Sequence, residues 1–374
     1  MSDIHDLAIG VPGPFLPPWE NALKSARLID SLGYDSMAFP DHFAGFIPQS
    51  LWTPDITPLC LFQESPHTFY EMSTVMAACA AVTERVRLIS AVTEPIRRHP
   101  VLLAQTFLTL DHISNGRVVM GIGAGEIENT EPYGLNYTSP VERLREALEI
   151  IRTIWKVKDP FSFEGKYFTL RNAVMSLRPA RPDKPPPIWI AAHGPKMIRL
   201  AAEFGDGWIP TLLDPRTYSR LLGSIRSLRK QYERTGPFTA ALWRWHILDE
   251  DPAECDRLAM TPLARALSLL LPASEWTRLG FRHPLGDRFY SLTDYVPMRY
   301  DRETMLNAIN SVPPEVLRAF YSCGDADSVI KELEEYCQAG LDHMIIWNVT
   351  GMFDLNKTRT SYKVLKDVLS YVRG

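Results

Sequence analysis

Short apolar runs alternate with stretches of helical periodicity along most of the chain. Leu7–Val11 predicts a strand. Asn21–Leu32 predicts a helix, with Ala22, Ala26 and Ile29 on one face and Gly33 in the helix-ending position. Ser36–Phe39 is the next apolar run and ends in Pro40-Asp41-His42, after which residues 43–68 lose either period and read as a long loop. The alternation resumes with a helix at Tyr70–Thr83, a strand at Val86–Val92, a helix at Val101–Ile113 and a strand at Arg117–Ile122. Ser139-Pro140-Val141-Glu142 has the form of a capping box, and Leu144, Leu148, Ile151 and Trp155 follow at helical spacing. Residues 158–187 make an excursion that includes a hairpin-like FSFEGKYFTL, and residues 272–300 make another. Strands at Ile188–Ala192, Gly207–Pro210, Phe238–Leu248 and His343–Trp347 alternate with helices at 195–204, 215–234, 252–271, 302–321, 328–338 and 356–371. Eight strands separated by helices fit an α/β fold of the (β/α)8 TIM barrel type better than a doubly wound sheet. The absence of Gly-x-Gly-x-x-Gly after the first strand points the same way. The expected organisation is one barrel domain over 1–374, with insertions at about 43–68, 158–187 and 272–300.

Composition narrows the function more than the fold. With 374 residues and 45% hydrophobic content, the chain can bury an ample core. A net charge of −4 gives no electrostatic case for nucleic acid or an anionic membrane. No apolar run approaches the ~18 residues of a membrane span, and the amino terminus lacks the basic-then-apolar pattern of a leader. The five cysteines lack Cys-x-x-Cys spacing and read as reduced thiols of a cytoplasmic protein. A small-molecule substrate is the expected partner.

In a barrel, the residues just past each strand's carboxyl end converge on one mouth. These positions are Asp41-His42, Ser90–Thr93, Gly123–Asn129, Ala192–Pro195, Pro210–Leu213, Trp245-His246 and Asn348. Gly121, Gly123 and Gly125 allow a sharp turn or close approach to a flat ligand, and Glu126 follows them. Glu126 has the chemistry of a general acid if apolar surroundings raise its proton affinity, while Glu128 and Glu131 read as solvated loop acids. His42 suits proton exchange with a reacting group, or equally a hydrogen-bonded structural role. Gly194-Pro195 opens a helix whose free N–H groups can hold a phosphate, though an ordinary strand-to-helix turn looks the same. Arg97-Arg98-His99-Pro100 reads as a helix-start anchor. Arg278, Arg282, His283 and Arg288 offer a basic patch for an acidic group, or simply a solvated face. No His-x-x-x-His or carboxylate cluster has metal-ligand spacing, so no metal is expected.

Several of these motifs, in this order, resemble the luciferase-like (bacterial luciferase) flavin and deazaflavin superfamily. They are Asp41-His42-Phe43, Thr93 with Arg97-Arg98-His99-Pro100, Gly123-Ala124-Gly125-Glu126-x-x-Asn129 and Ile190–Pro195. Gly-x-Gly-Glu-x-x-Asn is similar to the branch using coenzyme F420, which includes sugar-phosphate dehydrogenases and methylene-tetrahydromethanopterin reductases. The runs Glu131-Pro132-Tyr133-Gly134, Trp189–Pro195 and His283-Pro284-x-Gly286 most resemble mycobacterial phthiodiolone ketoreductases. The resemblance implies a homodimeric oxidoreductase with the deazaflavin in the barrel mouth. It implies a bulge with a non-proline cis peptide at Ser90–Ala91, so that Ser90, Ala91, Val92 and Thr93 back the ring. It also implies cofactor contacts from Asp41, Gly125, Asn129, Ala192, His193, Gly194 and Pro195, with His42 and Glu126 as catalytic residues. Two departures disfavour a sugar phosphate. Phe46 stands where the sugar-phosphate dehydrogenases have Trp, and Thr211-Leu212-Leu213-Asp214 lacks their lysine. An apolar ketone or alcohol, or a pterin, fits better. An FMN-dependent monooxygenase and a non-catalytic flavin-binding protein are the competing readings.

Overall fold

The computed structural model describes residues 3–181 and 184–374; the excursion expected at 158–187 thus includes two positions, 182 and 183, outside the described residues. Eight parallel strands close on themselves in chain order. They are β1 (Ala8–Pro12), β2 (Ser36–Phe39), β3 (Arg87–Ser90), β4 (Val118–Ile122), β5 (Ile188–Ile190), β6 (Gly207–Trp208), β7 (Thr239–Leu248) and β8 (His343–Asn348). Closure runs from β7 through β8 to β1, with Ala241 opposite His343 and Ala8 opposite His343 on the other side. The expected barrel is therefore present.

Each strand is covered on both faces, which is why its sequence reads as an apolar run with little alternation. One face meets the surrounding helices: Met37, Leu88, Met120, Ile190, Leu242 and Met344 lie in that layer. The opposite face fills the lumen with Ala38, Ile89, Val119, Trp189, Trp243 and Ile345. Trp189 fits only because its neighbour is small: a Cβ on Gly207 would lie 2.4 Å from the indole Cδ1. The lumen is a packed core.

The helices used below are α1 (Trp19–Ser31), α2 (Met72–Ala81), α3 (Pro100–Ile113), α4 (Pro140–Lys156), α5 (Pro195–Phe204) and α6 (Pro215–Gln231). Three expectations change. Ser139 takes a left-handed conformation (φ 50°) and its side chain caps nothing, while Glu142 pairs with Lys196 at 2.7 Å, so no capping box forms at α4. The helix expected over 252–271 is two, Pro252–Ala259 and Pro262–Ser268, because Pro262 has no N–H to continue the first. Helices are present near 302–321 as expected, Arg302–Asn310 and Pro314–Phe320, but Tyr321–Gly324 then forms an unexpected strand beside residues 245–248 of β7. That pairing explains the ten-residue length of β7, whose residues 241–246 pair with β8 and whose residues 245–248 pair with 321–324.

The hairpin in the 158–187 excursion is present as antiparallel Phe161–Glu164 and Thr169–Ala173. The other two insertions converge on the mouth. Ile47, Leu51 and Trp52 share one apolar cluster with Trp276, Phe289, Tyr295 and the lumen tryptophans. Polar ties fix the cover: Tyr295 Oη donates to the Phe46 carbonyl at 2.8 Å, and Arg302 Nη1 donates to the Ser50 carbonyl at 2.6 Å. Among the described residues no helix is long and apolar enough to cross a membrane.

Candidate active site

Strands β3 and β4 approach unusually closely where they end. The Ser90 hydroxyl donates to the Gly121 carbonyl (2.8 Å) and accepts from the Gly121 amide (2.9 Å). A Cβ on Gly121 would fall 1.8 Å from the Ser90 carbonyl oxygen, so this glycine serves strand packing and not a ligand. Gly125 is the true turn residue, with φ 91°. The non-proline cis peptide joins Ala91 to Val92, one residue later than Ser90–Ala91. Ser90 itself is fully buried behind the bulge, which removes it from the ligand-facing set. Ala91 and Val92 are partly exposed, and Thr93 is buried with its hydroxyl unpartnered.

The loop after β4 meets the loop after β2 through one amide. Asn129 is 1% exposed, and its Oδ1 accepts from the amides of Phe43 (2.6 Å) and Ala44 (3.1 Å). Those two donors fix which end of the amide is oxygen. Nδ2 therefore points at His42 Nδ1 (2.8 Å), Glu126 Oε2 (3.2 Å) and Glu128 Oε1 (3.4 Å). Burial lowers the proton affinity of His42, with the Glu126 carboxylate acting the other way. The ring is then neutral near pH 7, accepts at Nδ1 and carries its hydrogen on Nε2, which has no partner among the described residues. Glu126 Oε2 stands 3.4 Å from His42 Nδ1, and the two side chains are 27% and 13% exposed. Phe46 and Phe69 enclose the imidazole at 5.1 and 5.5 Å between ring centres.

Asp41 points the other way, as its neighbour on an extended segment should. Its carboxylate lies 2.5 Å from Arg98 Nη1 and 3.1 Å from Arg97 Nη2. Arg97 also binds Glu94 at 2.6 Å and covers the Phe43 ring at 4.9 Å. Asp41 and Asn129, expected to bind the cofactor directly, are instead buried and fully engaged by protein groups, so each acts on the residues beside it. His99 caps α3 by accepting from the Val101 amide, in keeping with a helix-start anchor.

On the far side of the mouth, β5 leads through Ala192–Gly194 into α5. The Ala192 carbonyl accepts from Trp208 Nε1 at 2.8 Å, and His193 Nε2 donates to the Thr211 carbonyl at 2.9 Å. Gly194 and Pro195 are exposed, and a Cβ on Gly194 would meet nothing within 4 Å. Space stands open in front of the α5 start.

A family model described as luciferase-like monooxygenase matches residues 4–343. The chain belongs to the luciferase-like family. Over 338 residues this luciferase-like chain is 33% identical to a phthiodiolone/phenolphthiodiolone dimycocerosates ketoreductase of Mycobacterium tuberculosis, covering 89% of this chain and 88% of that one. An F420-dependent secondary alcohol dehydrogenase, solved with an F420-acetone adduct, has the same fold with TM-score 0.76 at 24% identity, covering 98% and 99% of the two chains. A coenzyme F420-dependent tetrahydromethanopterin reductase from Methanopyrus kandleri gives TM-score 0.69 at 20% identity, covering 96% and 99%.

Within this luciferase-like barrel, several residues fall away from the mouth. His246 is fully buried on the helix-facing side, where burial pushes its pKa down to about 4. Asn348 donates to Ser361 at 2.9 Å. His283 stacks on Phe289 and donates to the Leu269 carbonyl at 3.0 Å, so it is a core residue. Arg278 and Arg282 face solvent beside Glu275 and Asp287. Glu131 is exposed beside Arg299, as a loop acid should be. Glu128 is not: it is 1% exposed, and one of its oxygens is buried without a partner. Sequence spacing carries no signal for that burial, because the insertion that covers Glu128 lies more than 140 residues away (segment 291–294 packs on 127–129).

Proposed function

We infer that this protein is a coenzyme F420-dependent oxidoreductase that transfers hydride to or from a carbonyl or hydroxyl carbon, or a methylene-pterin. The carrying observation is the convergence of His42 and Glu126 on the Asn129 amide at the mouth of the barrel. The residues present fit the cofactor. Gly194 leaves open space at the α5 start for an anionic group, and the unpartnered Thr93 hydroxyl sits behind the partly exposed Ala91 and Val92. The bound deazaflavin supplies the hydride chemistry. Glu126 holds or accepts the proton that belongs to the substrate oxygen, and His42 donates its Nε2 hydrogen bond to that oxygen. Asn129 fixes both, and the Asp41–Arg97–Arg98 cluster anchors the segment that bears His42.

The substrate is apolar. Phe15 stacks on Phe69 at 5.7 Å and meets Trp347 edge-on at 6.1 Å, and Trp347 lies 4.4 Å from Trp245, which makes one aromatic wall. The loop after β6 offers no cation for a sugar phosphate, since its one charged side chain, Asp214, caps α6 through the Thr217 amide at 2.9 Å. The same reading makes the chain one cytoplasmic barrel domain that works as a homodimer. Leu28 on α1 with Leu32 just past its end, and Leu102 and Ile113 on α3, are 42–57% exposed on neighbouring elements around α2. Sedimentation is expected to give a dimer that Leu102→Glu with Ile113→Asp converts to monomer.

Anaerobic fluorescence titration tests the cofactor. Oxidised F420 is expected to bind at concentrations where FMN does not. Preference for FMN together with substrate-dependent oxygen uptake would instead make the protein a monooxygenase, as the family model is described.

A further inference from the structure

The buried polar cluster beneath Glu126 is short of positive charge, and the Asn129 amide at its centre has fewer hydrogens than the acceptors around it. Two cations, Arg97 and Arg98, face Asp41 and Glu94, which takes up both charges; Glu126 and Glu128 then remain without a cation of their own. The hydrogen count agrees. Asn129 Nδ2 carries two hydrogens, yet three acceptors stand within 3.4 Å of it: His42 Nδ1, Glu126 Oε2 and Glu128 Oε1. The amide cannot flip to ease this, because Oδ1 already serves Phe43 and Ala44. The second Glu128 oxygen is buried and partnerless, which is costly for an ionised carboxylate. Arg97 does not resolve the shortage: its Nε donates to Glu94 and its Nη2 to Asp41, and its Nη1, buried without a partner, makes no hydrogen bond to Glu126 or Glu128.

We propose that Glu126 and Glu128 share one proton, so that Glu128 is the buried store from which Glu126 protonates the substrate oxygen. The proposal deepens the acid role given to Glu126 and rests on it. In the direction of ketone reduction, the carbonyl carbon receives hydride from the reduced deazaflavin and the C=O π pair moves onto oxygen. That oxygen takes the proton from Glu126, leaving the pair as two carboxylates until solvent returns one proton. Alcohol oxidation runs the same transfers backward. Glu128 touches no substrate and is a positioning residue for this proton. Its burial, with the Glu126 charge as the next contribution, raises its proton affinity well above the ordinary range. Around the pair stand neutral His42 from the loop after β2, Arg97 from the loop after β3, Tyr133 and Tyr137 from the loop after β4, and Tyr290 and Tyr295 from the last insertion.

The test is infrared difference spectroscopy of the ligand-free protein at neutral pH. Wild type is expected to show a protonated-carboxyl stretch that disappears in both Glu126→Gln and Glu128→Gln and persists in Glu131→Gln. If Glu128→Gln unfolds, Glu128→Asp serves, and its stretch is expected to shift. A stretch unaltered in the Glu128 variants overturns the proposal. So does stoichiometric magnesium or calcium binding by wild type that Glu128→Gln abolishes, since a cation would then hold the cluster. The pH profile is a second readout. Ketone reduction requires the proton and falls as pH rises past its release. Glu126 without a second carboxylate holds that proton less tightly, so in Glu128→Gln the fall is expected about one unit lower or more; an unmoved profile overturns the proposal. Full turnover in Glu126→Gln with the stretch lost from both variants would keep the shared proton and remove the acid role. Lost turnover in Glu126→Gln with the stretch intact in Glu128→Gln would do the reverse.

Discussion

Glu126→Gln is expected to lower kcat for hydride transfer by about 10²–10⁴-fold, the usual worth of a positioned acid or base, while F420 affinity changes little. The substitution keeps shape and the Asn129 contact but removes the titrating group at the partly exposed edge of the cluster. For a ketone reduced to an alkoxide in an apolar enclosure, the other carboxyls of this cluster are not available, because Glu128 is buried and Asp41 is held by Arg97 and Arg98. Steady-state turnover with a hydrophobic ketone or alcohol, set beside cofactor titration, separates the two effects. Glu131→Gln, at an exposed ion pair with Arg299, is the control and is expected to leave kcat unchanged. Wild-type turnover in Glu126→Gln would remove Glu126 from the chemistry.

Asp41→Ala is expected to destabilise the fold by about 1–3 kcal/mol, the cost of leaving buried donors short of a partner, since Arg97 keeps Glu94 and Arg98 keeps Glu71. Asp41 and Arg97 side chains are each 4% exposed and Arg98 is 14% exposed, so water cannot replace the lost carboxylate. The damage extends to function, because Arg97 also donates to the Asp41 carbonyl at 2.6 Å and thereby holds the backbone that carries His42. Thermal unfolding reads the first effect and kcat the second. The double variant Asp41→Ala with Arg98→Ala is expected to recover part of the stability, since it removes the guanidinium whose Nη1 lost its carboxylate partner. A melting temperature equal to wild type in the single variant would show that this cluster is not a structural anchor.

The sequence by itself determined the strand–helix alternation, hence the barrel, and it marked the mouth through the residues that follow each strand. A parallel strand covered on both sides must be apolar throughout, and a helix on the outside must repeat its apolar face, so both leave local signatures. It also brought His42 and Glu126 to one mouth, because both lie at carboxyl ends of strands. What it did not carry was the direction of each side chain once the loops had closed. Asp41 and Asn129 turned inward to hold their neighbours, Ser90 locked against Gly121, and the cis peptide fell at Ala91–Val92. Glu128 read as a solvated acid because its burial comes from an insertion distant in sequence. Tyr321–Gly324 became a strand only because the far half of β7 offered an unpaired edge. Periodicity is a property of neighbours along the chain, whereas burial and hydrogen-bond supply depend on what distant segments bring, and those only the tertiary structure decided.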